Sequence, residues 1–208
     1  MRKTLGTLLI ALGILLVLTA AVMTGNHFRS QQKAGEEAQA ALEALEIPEP
    51  VVETTPDIPD IPGKPAQIPH YQLNPEMGMP EKEVDGIAYI GTLEIPVLEL
   101  CLPVISATTG AHLQIAPCRF TGSAYLDDLV VGAHNYAAHF GRLSSLSYGD
   151  VVKLTDMDGN RFVYQVADIE ILQPDQKEEL CSGEWPLSLY TCTPGGRTRL
   201  TVRCEKIR

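Results

Sequence analysis

From Ala88 onward the chain is a series of short apolar runs bounded by turn residues, and no amphipathic helix long enough to cross between them interrupts the series. This pattern limits the fold more than any other feature, because parallel α/β architectures need helical crossovers of roughly a dozen residues or more. The runs predict strands over 88–95, 99–104, 129–134, 151–155, 161–172, 187–192 and 199–206. Asp156-Met-Asp-Gly-Asn160 marks a hairpin between two of them. Its glycine comes too early for a calcium loop, and no closing glutamate follows. A turn of helix is expected over 109–113 and one short helix over 139–146. The class that follows is all-β, a closed or half-open barrel with short helices.

What precedes the barrel has a different character. Thr4 to Met23 is uncharged and Leu-rich, long enough to cross a hydrocarbon core of about 30 Å as a helix. Arg2 and Lys3 precede it, and positive charge stays on the cytoplasmic side, so the rest of the chain is expected outside. A cleaved signal peptide is the rival, with Thr19-Ala-Ala21 near a plausible cut, but the apolar run continues past that point. A retained single-pass anchor over 1–25 is therefore expected. Residues 31–46, rich in Ala, Glu and Gln, read as a solvated helix with little to bury. Residues 47–69 carry Pro48, Pro50, Pro56, Pro59, Pro62, Pro65 and Pro69 and read as an extended, polyproline-like spacer. The expected organisation is anchor over 1–25, linker over 26–70 and barrel domain over 71–208. With 208 residues and 45% hydrophobic content there is room for one domain with a real core.

A net charge of −10 argues against nucleic acid and against anionic surfaces as partners. The five cysteines, at 101, 118, 181, 192 and 204, show no Cys-x-x-Cys spacing, so no metal and no cofactor is expected. An odd count outside the cytoplasm leaves at least one free thiol or an intermolecular bond, and Cys192 is the natural free one. Spacing does not say whether Cys101, Cys118, Cys181 and Cys204 pair.

Two strands end on reactive side chains. Leu187 to Cys192 closes on a thiol, and Leu129 to His134 runs out onto an imidazole. A basic strand beginning at Arg199 follows the cysteine closely, and a neighbouring cation favours a thiolate by Coulomb attraction. Thiolate, proton carrier and fixed cation are the groups that cysteine acyl transfer needs. No carboxylate stands where strand geometry would orient His134. Trp185 and Leu187 are candidates for an apolar wall, and Asn135 and Tyr136 for lining the site. His27, His70, His112 and His139 are assigned no role.

The segments Leu189-Tyr-Thr-Cys-Thr-Pro194, Arg199-Leu-Thr-Val-Arg203 and Val131-Gly-Ala-His-Asn135 resemble the sortase family of cysteine transpeptidases, over roughly 89–207. The resemblance implies an eight-stranded sortase-type β-barrel. It also implies Cys192 as nucleophile, His134 as acid/base partner, Arg199 at the developing oxyanion and Thr191 beside the substrate backbone. Arg199 is preferred to Arg197 and Arg203 because the apolar strand starts directly after it. Ala133 stands where the family usually has glycine. The implied partners are surface proteins bearing a Leu-Pro-x-Thr-Gly-like sorting signal, and an amine on a peptidoglycan precursor or a pilin lysine. Pilin-polymerising sortases carry an Asp-Pro-aromatic lid; Asp57-Ile-Pro-Asp-Ile-Pro62 lacks the aromatic, which points away from that type. A cysteine hydrolase and a non-enzymatic surface-binding domain are the remaining alternatives.

Overall fold

The computed structural model describes residues 2–45 and 68–207. The proline-rich spacer expected over 47–69 falls almost entirely outside the described residues, as does the lid segment considered at 57–62.

Nine strands form one sheet: β1 (Lys82–Val84), β2 (Ile87–Ile95), β3 (Leu100–Ile105), β4 (Cys118–Thr121), β5 (Leu129–Ala133), β6 (Val151–Asp156), β7 (Arg161–Leu172), β8 (Leu187–Cys192) and β9 (Arg199–Lys206). They run in the order β1-β2-β3-β4-β5-β8-β9-β7-β6, and a further pairing of β2 with β6 closes eight of them into a barrel. β2 manages three neighbours because β1 takes its first residues, 87–89, while β6 takes 91–94. Two pairs are parallel, β3 with β4 and β5 with β8. Closure removes the sheet edges that would otherwise template aggregation. The interior is filled by alternating apolar side chains, among them Ile90, Leu93, Leu129, Val131, Leu154, Phe162, Leu189 and Val202.

Every strand expected from the apolar runs is present, with ends shifted by at most one residue, and the structure adds β1 and β4. The 156–160 turn is held by the buried Asp156 carboxylate. It accepts from the Asp158 and Asn160 amides at 2.9 Å each, from Asn160 Nδ2 at 2.8 Å and from the Tyr125 hydroxyl at 2.6 Å. The short helix expected over 139–146 contracts to a 3₁₀ turn at Leu143–Ser145.

Among the described residues four α-helices accompany the barrel. α1 (Arg2–Leu45) is one unbroken helix, α2 (His70–Leu73) and α4 (Lys177–Leu180) are single turns, and α3 (Gly110–Ile115) is capped by the Thr109 hydroxyl, which accepts from the His112 amide at 3.0 Å. The first half of α1 exposes Ile14, Leu15, Leu16 and Val17, and from Leu12 onward the helix is long and apolar enough to cross a membrane. Its second half differs from the solvated helix expected there. Ala34, Ala38, Ala41 and Leu45 are all buried against the barrel. Their spacing repeats every three or four residues, so they form one stripe, and the small side chains let the helix lie close. Lys82 Nζ donates to the Leu45 carbonyl and ties the end of α1 to β1.

Because Ala38 is buried while Ala40 on the same helix is exposed, enlarging the two should have opposite consequences. Denaturant unfolding of Ala38→Leu should show a loss of about 1–3 kcal/mol from overpacking. Ala40→Leu should stay within about 0.5 kcal/mol of the parent.

Candidate active site

The parallel pairing of β5 with β8 runs from Leu129 opposite Leu187 to Ala133 opposite Thr191. The antiparallel pairing of β8 with β9 ends at Cys192 opposite Arg199. His134 and Cys192 each stand one residue beyond the last pair of that register, and Cys192 is paired with Arg199, so the three residues lie at the same end of three adjacent strands. Residues opposite one another share a face of a sheet, and successive residues alternate. Leu187, Leu189 and Thr191 face the core, whereas Tyr190, Cys192, Arg199 and His134 belong to the outer face.

Packing locks this register. Tyr190 lies across Gly132, and a Cβ at Gly132 would sit 2.4 Å from the Tyr190 ring, so only glycine fits. Thr191, which resemblance set beside a substrate backbone, is buried; its hydroxyl donates to the Ala133 carbonyl at 2.9 Å and clamps the ends of β5 and β8 together. Leu187, a candidate for an apolar wall, is fully buried in the core, and Trp185 is half-buried beside an acidic surface that includes Glu170 and Glu184.

The loop after β5 is tightly turned. Phe140 N donates to His134 O at 3.1 Å, and the amides of His139 and Gly141 both donate to Tyr136 O at 2.9 Å. A Cβ at Gly141 would stand 2.6 Å from Asn135 O, which again requires glycine. Burial lowers the pKa of His134 and favours the neutral ring. The ring tilts against Tyr136 at 4.9 Å between centroids, and its Nε2 lies 3.1 Å from Gln114 Nε2. The Tyr136 hydroxyl donates to Gln114 Oε1 at 3.1 Å.

On the other flank, the Thr193 amide donates to Thr198 O at 3.0 Å and Gly196 N to Thr193 O at 2.8 Å, closing the turn that brings Arg199 back to Cys192. Arg199 Nη1 donates to the carbonyls of Gly196 and Thr198 at 3.1 Å each. The other two candidate cations separate cleanly. Arg197 is exposed at the tip of the turn. Arg203 is 2% exposed and spent on structure, bonded to Glu170 at 2.7 Å, to Ser188 Oγ at 2.8 Å and to the carbonyls of Glu179 and Leu180.

Beside Arg199 a cavity of about 160 Å³ opens between β4, β8 and α4, lined by Phe120, Leu172, Pro174, Leu180 and Tyr190. Phe120 meets Tyr190 edge-on at 5.6 Å. Burial pushes the Tyr190 hydroxyl up to about 12, against the opposing pull of Arg199. All five cysteines are free thiols. Burial raises the pKa of Cys101, Cys118, Cys181 and Cys204, the buried Cys118 and Cys204 to about 12. Among the described residues no group of three or more His, Cys, Asp and Glu could hold a metal ion.

A thiol, an imidazole and a guanidinium at one end of three adjacent strands, with a partly apolar cavity beside the guanidinium, are groups that attack on a carbonyl uses. The family model of the Sortase domain matches residues 93–207. The chain belongs to the sortase family. Its fold is shared with sortase C1 of pilus island 1 from GBS, at 26% identity and a TM-score of 0.50 over 58% of this chain and 64% of that one. Sortase C1 from Streptococcus suis is 30% identical, with a TM-score of 0.50 over 58% of this chain and 73% of its own. Sortase C from Clostridium perfringens is 26% identical, with a TM-score of 0.51 over 68% and 77%. No curated protein matches the chain. The structure thus carries the sortase barrel, eight strands closed with short helices between them, and the family's chemistry is cysteine transpeptidation.

Two consequences can be measured. Gly132→Ala should lower stability by about 1–3 kcal/mol in denaturant unfolding, because the added methyl must displace the Tyr190 ring. His139 is fully buried and its pKa is lowered, first by burial and further by His134, against the opposing carbonyls of Ala34 and Ile115. The native state therefore binds fewer protons than the unfolded chain below the ordinary histidine value of about 6.5, so stability falls as pH drops through that range. Thermal melts from pH 8 to pH 5 should show a decline in Tm that flattens in His139→Gln.

Proposed function

We propose that this sortase is a single-pass membrane enzyme whose barrel stands outside the cell and uses Cys192, His134 and Arg199 to cut a Leu-Pro-x-Thr-Gly-like sorting signal between Thr and Gly. The observation that carries this reading is the joint register of β5, β8 and β9, which brings the three side chains to one edge. Cys192 Sγ, as thiolate, attacks the Thr carbonyl. The carbonyl oxygen gains the charge, and Arg199, which stays protonated, opposes it. The C–N bond then breaks, protonated His134 delivers its proton to the departing glycine amine, and a thioacyl enzyme remains. An incoming amine attacks the thioester, His134 takes its proton, and Cys192 leaves as thiolate, which restores the starting charges. The cavity beside Tyr190 and Arg199 offers an apolar seat for the Leu-Pro part of the signal. Support for the anchor comes from the exposed apolar first half of α1, with Arg2 and Lys3 at its cytoplasmic end.

The acceptor amine is proposed to belong to a peptidoglycan precursor. A second reading, that the acceptor is a pilin lysine, is favoured by likeness to sortase C structures, one of them named for a pilus island.

The full chain in detergent, mixed with a Leu-Pro-x-Thr-Gly peptide and either a glycine amine or a lysine-bearing pilin peptide, tests both readings by mass spectrometry. A thioacyl adduct on Cys192 and an amine-ligated product are expected, and both should vanish in Cys192→Ala and His134→Ala. Arg199→Ala should lower kcat by about 10²–10³, as the loss of an oxyanion donor does. Ligation to lysine but not glycine would select the second reading. Release of the free acid alone, whatever amine is added, would make the protein a hydrolase. No cleavage, with Cys192 no more reactive than the other thiols, would overturn the enzyme reading in favour of a surface-binding domain.

A further inference from the structure

The acid/base partner of a thiol must be held in one orientation, and among the described residues no carboxylate does the holding. We propose that Gln114, itself fixed by Tyr136, is the positioning residue of His134, gripping Nε2 so that Nδ1 is the nitrogen presented to Cys192. The inference rests on the proposed role of His134 and deepens it.

The assignment follows from counting donors. The Tyr136 hydroxyl has one proton and gives it to Gln114 Oε1 at 3.1 Å, which fixes the amide with its NH₂ toward His134. That NH₂ only donates, and it lies 3.1 Å from His134 Nε2. Nε2 therefore accepts, and the proton of the neutral ring sits on Nδ1. Both residues stand on stiff supports. Gln114 belongs to α3, whose first turn is capped by Thr109, and Tyr136 is buried in the loop pinned by Phe140 and Gly141. Gln114 itself is exposed, so fold stability gives no reason for a glutamine there.

An amide serves this place in a way a carboxylate does not. Because Nδ1 already carries the proton of the neutral ring, a second proton enters at Nε2, and both ring nitrogens are then donors. The amide can then turn over, so that Gln114 Oε1 accepts from Nε2–H and the NH₂ donates to the Tyr136 hydroxyl oxygen. Once Nδ1 has given its proton to the leaving amine, the neutral ring keeps Nε2–H on Gln114 Oε1, so Nδ1 is free to take the proton of the incoming amine, and no state of the cycle leaves Nε2 without a partner. A glutamate would hold the charged ring more strongly and withhold its proton from the leaving group. Among the described residues the ring meets Tyr136 and interacts with His139 from its own loop, while Cys192 and Arg199 stand at the same end of the neighbouring strands. From α1 the uncharged Gln31 reaches that loop, accepting from the Ala137 amide at 3.4 Å.

The test is NMR of the full chain in detergent with isotope-labelled histidine nitrogens, using His134→Asn to assign the signals. In the parent at neutral pH, Nε2 of His134 should carry the unprotonated signature and Nδ1 the proton. Gln114→Ala should revert the ring to the Nε2–H tautomer that free histidine favours. Gln114→Glu should raise the midpoint of His134 titration by about one pH unit or more, as a carboxylate at contact does. Tyr136→Phe, which leaves the amide free to turn, should blur the tautomer preference without abolishing the contact. In the peptide assay Gln114→Ala should lower kcat about fivefold to tenfold, the worth of one hydrogen bond, with little change in KM. A His134 nitrogen pattern that is the same in the parent, Gln114→Ala and Gln114→Glu overturns the proposal. If the parent does not transpeptidate but the nitrogen pattern still follows Gln114, the proposed activity falls and the positioning role stands.

Discussion

The parallel pairing of β5 with β8 is the constraint on which the site depends. Antiparallel neighbours joined by a hairpin place the end of one strand beside the start of the next, as β8 and β9 do at Cys192 and Arg199. Only a parallel pair brings two strand ends together, and His134 and Cys192 both follow apolar strands that end at the same rim. The register cannot slip by one residue, since that would turn Leu187 and Leu189 out of the core. Tyr190 over Gly132 and the Thr191 hydroxyl on Ala133 O fix it from the outer and inner faces respectively.

Around that rim each basic group has a separate task. Arg203 is buried and saturated with acceptors, so its charge holds α4 to the sheet. Arg199 is anchored through one nitrogen to the loop carbonyls, which leaves the rest of its planar fork for a ligand. Burial disfavours the charged form of His134, and the group beside its Nε2 is the amide of Gln114.

The sequence made the barrel legible because its apolar runs stop where strands stop, and the site because two of those runs end on Cys192 and His134. β1 and β4 escaped notice for a physical reason: Lys82–Val84 and Cys118–Thr121 are three and four residues long, too short to show a period. The docking stripe of α1 was hidden differently. Alanine contributes little to any hydrophobic periodicity, so Ala34, Ala38 and Ala41 on a Gln- and Glu-rich helix look solvated until a surface is laid against them. Tyr136 was legible as a neighbour of His134 in its own loop, but Gln114 carries no chemistry of its own and lies twenty residues before the histidine it contacts. Only the closed barrel, which folds α3 over the end of β5, makes them neighbours. Thr191 shows the converse: a residue adjacent to the cysteine in sequence points into the core because strands alternate.

Docking of α1 also changes what the proline-rich segment has to do. If the chain had left the membrane through residues 47–69, their length would set the height of the barrel. Instead α1 is continuous from its apolar half to Leu45, which is buried against the barrel and bonded to Lys82. The chain is described again from Ile68, and Tyr71 already stacks on Tyr125 at 4.6 Å between ring centroids. The described residues on either side of the segment, Leu45 and Tyr71, therefore both pack on the barrel. In the proposed anchored state the helix itself connects bilayer to enzyme, rising about 1.5 Å per residue. The same helix contacts the loop that carries His134, through Gln31 on the Ala137 amide and Gly35 against Ala138. Anchor, docking stripe and imidazole loop thus form one mechanical series, and a break in the helix between Met23 and Gln31 would separate the height of the enzyme from the packing of its site.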